Sequence, residues 1–357
     1  TWVSATDRKL LAQMQGNDWR STIKPNVVVA KDGTGQFTTI WDAITSYPKG
    51  NKGRYIIYVK AGVYDEYIKV PKHCVNLTIY GDGPQQTVVT GDKSCFKNGI
   101  QTNYGTMQTT TFANTATGFI AKAMTFRNTA GADGHQAVAF RNQGDMSAFV
   151  GCNFIGYQDT LYVHANRQFY RNCVISGTID FIFGMSNTLI QHSTIIVRKP
   201  LDRQNNTITA DGSDDSIKTN TGIVIQDCKI VAETALLPVR FQIPTYLGRP
   251  WKINSRTVFM ESFIGDFIHS DGWIPWKENG TDINFDTCYY AEYANTGLSA
   301  NLSGRIKWKG YYGNISRDEA TKFTAAIWLK AENTSAATWL HDLHVPHYLG
   351  FKSLKIN

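Results

Sequence analysis

The chain has 357 residues, 42% of them hydrophobic, enough for a sizeable core and, by length alone, for two or three ordinary domains. No apolar run approaches the roughly 18 residues that mark a membrane span, and the start shows no basic segment leading into an apolar one, so any secretory leader is expected to have been removed. The formal net charge of +7 suits a polyanionic partner. The basic residues are scattered and form no nucleic-acid recognition motif, which sets nucleic acid aside.

In chain order, Ser4 and Asp7 form an S-x-x-D capping pattern ahead of Leu10, Leu11 and Met14, which predicts a short amphipathic helix. Gly33-Thr34-Gly35 and Gly81-Asp82-Gly83 lack the third glycine of a dinucleotide fingerprint and read as turns. A unit then recurs in Ala121–Phe126, Phe149–Phe154, Tyr170–Ile175, Ile190–Ile195, Ile225–Ile230 and Met260–Ile264. Each places a small residue (Ala123, Cys152, Cys173, Ser193, Cys228, Ser262) two positions before an apolar one. The small residues are separated by 29, 21, 20, 35 and 34 positions, a solenoid period. Frequent β-branched residues and scarce 3.6-residue periodicity exclude helical repeats. Coils of constant core with loops of varying length describe a parallel β-helix, an all-β fold. Its open ends need cover, and Ser316 and Glu319 ahead of Phe323, Ile327 and Leu329 predict a second short capping helix. No Pro/Gly/Ser linker divides the chain, which predicts one domain over residues 1–357.

Common catalytic signatures are missing: there is no G-x-S-x-G, H-E-x-x-H or phosphate-loop motif. The histidines never occur at metal-ligand spacing, and His341, His344 and His347 read as surface residues. The repeat gives a sharper lead. Asp159 and Asp180 each lie seven residues after a ladder cysteine, Cys152 and Cys173, so they share a phase on consecutive coils. Strands in a sheet are about 4.8 Å apart, and two carboxyls that close hold one proton to higher pH. One can then serve as a general acid while the other is an ionised nucleophile. The competing readings are a structural Asn/Asp ladder or two exposed turn aspartates. Asp180 stands among apolar neighbours in Asp180-Phe-Ile-Phe-Gly184, and a dry aspartate needs a partner; Arg249 is a candidate. The same phase brings Cys152 and Cys173 within disulfide range, which predicts a bond between them, with two reduced buried thiols as the alternative. Sequons at Asn76, Asn205, Asn279, Asn301, Asn314 and Asn333 point to the secretory route.

Five motifs occur in order: Gly62-Val-Tyr-Asp-Glu66, Gln136-Ala-Val-Ala139, Gln158-Asp-Thr-Leu-Tyr162, Asp180-Phe-Ile-Phe-Gly184 and Leu247-Gly-Arg-Pro-Trp251. With them the chain closely resembles the plant-type pectin methylesterases over nearly its whole length. The resemblance implies a right-handed parallel β-helix and hydrolysis of the methyl esters of polygalacturonate through an acyl-aspartate. It implies Asp180 as nucleophile, Asp159 as acid/base, Gln136 and Gln158 as oxyanion donors and Arg249 as the group orienting the nucleophile. Trp251 and Thr106 match substrate contacts, as Gln136 and Arg249 also do. The expected partners are pectin and a proteinaceous pectinesterase inhibitor; the expected state is a secreted monomer in the cell wall, with no metal or cofactor.

The chain departs from the family at Met185-Ser-Asn-Thr188, at Asp211 where glutamine is usual, and in the tail from His341, and the inhibitory pro-region is expected to be lacking. Two rival readings are a catalytically silent pectin-binding homologue and a polygalacturonase. The second lacks its Asn-Thr-Asp and Gly-His-Gly elements here.

Overall fold

A computed structural model describes residues 23–216, 221–330, 337, 339–342 and 346–352. Among them, three parallel sheets of eleven, eight and seven strands wind round a common axis. Each of the central coils contributes one short strand to each sheet and hydrogen-bonds in register to the next, as Phe149↔Tyr170, Phe154↔Ile175 and Leu161↔Ile182 show for one pair of coils. No helix of the described residues is long and apolar enough to cross a membrane.

In-register pairing stacks like on like. Phe112 on Phe140, Phe126 on Phe154 and Phe149 on Tyr170 lie with rings nearly parallel at 5.3, 5.6 and 4.5 Å. At the corner between the eleven- and eight-stranded sheets the chain turns through a left-handed residue: Gly151, Asn172, His192, Asp227 and Glu261 all have φ between 51° and 62°. The residue after each points inward, giving the ladder Cys152, Cys173, Ser193, Cys228 and Ser262. Successive members are joined where Ser193 and Ser262 hydroxyls accept from the Cys173 and Cys228 amides at 3.1 and 3.0 Å. Ala123 is itself the corner residue, with φ 53°. The ladder position on that coil belongs to Met124, since Lys122 pairs with Val150; the sequence repeat is shifted there by one residue.

The expected Cys152–Cys173 disulfide is not formed. Both cysteines are free and buried. Each thiol donates instead to main-chain carbonyls, Cys152 to Val150 at 3.6 Å and Cys173 to Arg171 and Phe149 at 3.3 and 3.5 Å.

The expected cap on Ser4 and Asp7 lies outside the described residues. The first coil is closed by a helix the repeat did not reveal, Ile40–Thr45, capped by Thr39 and burying Ile40, Ala43 and Ile44. Glu66 accepts from the amides of Ile40 and Trp41 at 3.0 Å each, placing a carboxylate at the helix N-terminus. Ser316 caps Arg317–Thr321, accepting from Glu319 N, and a second short helix follows at Ala325–Trp328. These helices lie along the outer face of the eleven-stranded sheet, with Phe323, Trp328 and Leu329 packed among Phe169, Leu189 and Val258. Ile327 faces solvent. The tail continues over the same face: Gln191 and Gln226 donate to the carbonyls of Tyr348 and Gly350, and Lys352 reaches Asp227 at 2.6 Å. Of the sequon asparagines, Asn205, Asn279, Asn301 and Asn314 are exposed and Asn76 is partly covered; Asn333 lies outside the described residues.

Polar residues recur in the last row of the seven-stranded sheet's inner face, among Val70 and Val163. Asn114 donates to Asn142 at 2.7 Å. Asp211 occupies the same phase farther along, since Gly184 pairs with Asp211. Its Oδ2 accepts from the amides of Arg256 and Ser213, while Oδ1 has no partner among the described residues. Burial pushes this carboxyl up to about 7, against the pull of those amides. The folded state thus keeps the proton to higher pH than the unfolded chain, so stability is lost as pH rises from the ordinary carboxylate range through about 7. Asp211→Asn, which titrates in neither state, should gain on the order of 4 kcal/mol relative to wild type between pH 4 and pH 8. Urea denaturation at both pH values checks this; parallel pH dependences for the two proteins would remove Asp211 as the cause.

Candidate active site

Asp159 and Asp180 sit at the corner that feeds the seven-stranded sheet, each two residues before a strand. Leu161 pairs with Ile182, so the two aspartates face each other across one rung, about 4.8 Å in strand spacing. Both adopt the left-handed conformation, with φ 61° and 49°, and both are nearly buried, 7% and 5% exposed. Asp159 N donates to Ile179 O at 3.1 Å, locking one corner on the next.

Their surroundings differ. Arg249 grips Asp180 with both prongs, Nε to Oδ1 at 2.8 Å and Nη2 to Oδ2 at 2.6 Å, the strong bidentate geometry of a charge-assisted pair. Thr207, the residue of the next rung at this phase, donates its hydroxyl to Asp180 Oδ1 at 2.7 Å and accepts from Asp180 N at 2.9 Å. Asp159 has no hydrogen bond to its carboxyl among the described residues. Burial first, and the charge of Asp180 second, hold its proton well above the usual carboxylate range, with Arg249 opposing. Two identical side chains one rung apart are thereby made different: a paired carboxylate and a buried acid.

Gln136 and Gln158 are half-buried on the approach to the pair. Their main chains are fixed, Cys95 N donating to Gln136 O at 3.0 Å and Ala137 N to Gln158 O at 3.2 Å. Neither side-chain amide bonds to another described residue. Thr106 opens a short 3-10 turn, Thr106–Thr109. Burial pushes the Cys95 thiol up, against the pull of Thr106, and the charge of Asp159 pushes the same way.

An aromatic floor flanks the carboxyls. Tyr162 and Phe183 stack at 4.4 Å on consecutive rungs, and Trp251 stands edge-on to Phe183 at 6.2 Å. Trp251 lies over Gly212 so closely that a Cβ there would meet its ring at 2.5 Å. Trp276 adds a further ring, with the Arg249 guanidinium 4.4 Å from its centroid. Sequence reasoning missed Thr207, Tyr162, Phe183 and Trp276. Thr207 and the two floor aromatics follow from the phase of the strands; Trp276 lies beyond the last repeat unit and carried no such signal.

A family model described as Pectinesterase matches residues 26–332. The chain is 49% identical over 337 residues to an Arabidopsis thaliana protein named "Probable pectinesterase/pectinesterase inhibitor 13", covering 94% of this chain and 53% of that one. It is 46% identical to a Daucus carota protein named "Pectinesterase", covering 92% and 99%. The chain thus spans about half the length of the first Arabidopsis relatives it matches, 53% and 54%, and nearly all of the carrot one. The solved structure "Pectin methylesterase from Carrot" superimposes with a TM-score of 0.86 at 45% identity, over 92% of this chain and 99% of that one. A pectin methylesterase solved "in complex with hexasaccharide VII" matches with a TM-score of 0.71 at 27% identity, over 88% and 99%. With its right-handed parallel β-helix and its paired aspartates, the chain belongs to the pectinesterase family.

Proposed function

We propose that this protein hydrolyses the methyl esters of pectin, releasing methanol and leaving polygalacturonate. The observation that carries the reading is the unequal pair, Asp180 held by Arg249 and Asp159 kept protonated beside it. Asp180 attacks the C6 carbonyl of a methylated galacturonate, and the oxyanion that develops is met by the amides of Gln136 and Gln158. Collapse breaks the bond to the methoxy oxygen, which takes the proton of Asp159 and leaves as methanol. Asp159, now ionised, removes a proton from the water that attacks the acyl-aspartate. C6 becomes a free carboxyl and Asp180 is regenerated. Arg249 holds the attacking oxygens in place, while Trp251, Thr106 and the aromatic floor bind the saccharide.

The unbroken core from Val29 to Tyr290 supports reading the chain as one catalytic domain. The exposed sequons and the substrate support a secreted protein of the cell wall, and we take it to work as a monomer. The names of several relatives pair the enzyme with a pectinesterase inhibitor, and a protein of that kind is the partner this groove would accept.

Methanol should be released from highly methylated pectin without shortening of the polymer, which separates this activity from a glycosidase. Asp180→Asn and Asp159→Asn should each remove nearly all of it while leaving the fold intact by circular dichroism. Gln158→Ala should lose roughly 10²–10³ in kcat. Wild-type turnover in either aspartate variant would reject the assignment. Because the acid must carry its proton, kcat/KM should fall as pH rises through the raised pKa of the pair. Arg249 opposes that rise, so the residual activity of Arg249→Gln should show its alkaline limb at higher pH than wild type; a limb at the same or lower pH would contradict the role given to Asp159.

A further inference from the structure

Outward-facing side chains form a line along the seven-stranded sheet, one per rung: Ala113, Arg141, Tyr162, Phe183 and Ala210 are successive register partners. Arg141 therefore belongs to the same floor as the aromatics beside Asp159 and Asp180, one rung from Tyr162. Its side chain is unusual for a buried cation. The residue is 6% exposed, Nη1 lies 3.1 Å from His164 Nδ1 and 3.5 Å from Gln143 Oε1, and Nε has no hydrogen-bond partner among the described residues. No carboxylate of the described residues pairs with it. Arg167, Arg249 and Arg305, by contrast, each hold one: Asp145, Asp180 and Glu292.

His164 accepts but does not neutralise. Burial, and then Arg141 itself, push its pKa down to about 4, so the imidazole is neutral. Its ring stacks on Tyr162 at 4.6 Å, which fixes the atom that Arg141 leans on. Burying a guanidinium without an anion is costly, and arginine keeps its charge under such conditions. A fixed, dry, uncompensated cation on the floor of a groove is prepared for an anion that arrives from the groove. The planar fork suits a carboxylate in particular.

We propose that Arg141 is a subsite for the free carboxylate of a galacturonate unit neighbouring the one whose ester is cleaved. Asp159 lies at the corner two residues before the next strand, whose second residue, Tyr162, pairs with Arg141; that is roughly 10 Å along the strand direction, so Arg141 meets a flanking sugar rather than the reacting ester. A methyl ester at that position offers no charge to the guanidinium, so the subsite distinguishes an esterified neighbour from a free one. The inference rests on the pectinesterase reading and deepens it.

The test is calorimetric binding of two probes to the full chain, an unesterified oligogalacturonate and its fully methylated counterpart, at low and high salt. Wild type should bind the unesterified probe more tightly at low salt, with the preference fading as salt rises. Arg141→Gln should weaken the unesterified probe by roughly tenfold or more and the methylated probe much less; Arg141→Lys should lie between. On partly de-esterified pectin the same variants should raise KM more than they lower kcat. Equal losses on both probes, or an unchanged affinity for the unesterified one, would overturn the subsite. Should the variants not fold, a wild type that shows no salt-sensitive preference for the free acid overturns it equally. Methanol release distinguishes the two levels: if wild type releases none from methylated pectin, the pectinesterase reading fails, whereas release with no carboxylate discrimination rejects the role of Arg141 alone.

Discussion

Everything in this molecule is constrained by the in-register hydrogen bonding of one coil on the next. At about 4.8 Å per rung, each side chain has its own counterpart as nearest neighbour above and below. For apolar residues the rule stabilises: the phenylalanine stacks fill the interior with parallel rings. For small residues it makes tight corners. For carboxylates it is costly, because like charges meet at a distance where both cannot ionise easily. The aspartate pair is where the sheet imposes that cost, and it is resolved by giving one member an arginine and leaving the other its proton. The chemistry proposed for this groove is a consequence of how the strands stack, rather than an addition to it.

Much of this was legible in the sequence because stacking leaves a trace in spacing. Equal offsets from Cys152 and Cys173 were enough to place Asp159 against Asp180, since both coils turn through one left-handed residue at each of the two corners between them. The same logic misplaced Ala123, because phase alone does not say which of two adjacent small positions takes the corner. It also over-reached at the cysteines. Proximity permits a disulfide, but in this structure each thiol is satisfied by main-chain carbonyls already in place. The Arg249–Asp180 contact, 69 residues apart, was beyond any spacing argument, because the intervening coils carry loops of unequal length; Arg249 was a candidate only because a dry aspartate needs a partner and because the family motif includes it. Arg141 was overlooked for another reason. Its meaning lies in a partner it lacks, which no pattern of residues displays.

Two buried carboxyls, Asp159 and Asp211, show how position decides the use of the same group. Both are raised by burial. Asp159 opens on the groove beside another carboxylate, where a held proton can be transferred. Asp211 faces inward beneath Gly212, where Trp251 rests, and accepts the amides of Ser213 and Arg256 that frame this corner. The first is proposed to exchange protons with a substrate; the second ties loops together at a cost that depends on pH.

The tail over the eleven-stranded sheet alters the mechanics of the stack. A solenoid is stabilised between nearest neighbours, so a coil can in principle loosen while distant ones stay intact. Here Trp328 donates to Thr188 O, Tyr348 and Gly350 accept from Gln191 and Gln226, and Lys352 N bonds Glu261. One short segment thus holds several successive coils at once, across sequence separations of 91 to 157 residues. Unzipping of those coils is no longer a local event, because none of them can slip along the axis until the strap lifts from all of them. A segment that follows the coils in the chain thereby acts as a latch on a structure already wound.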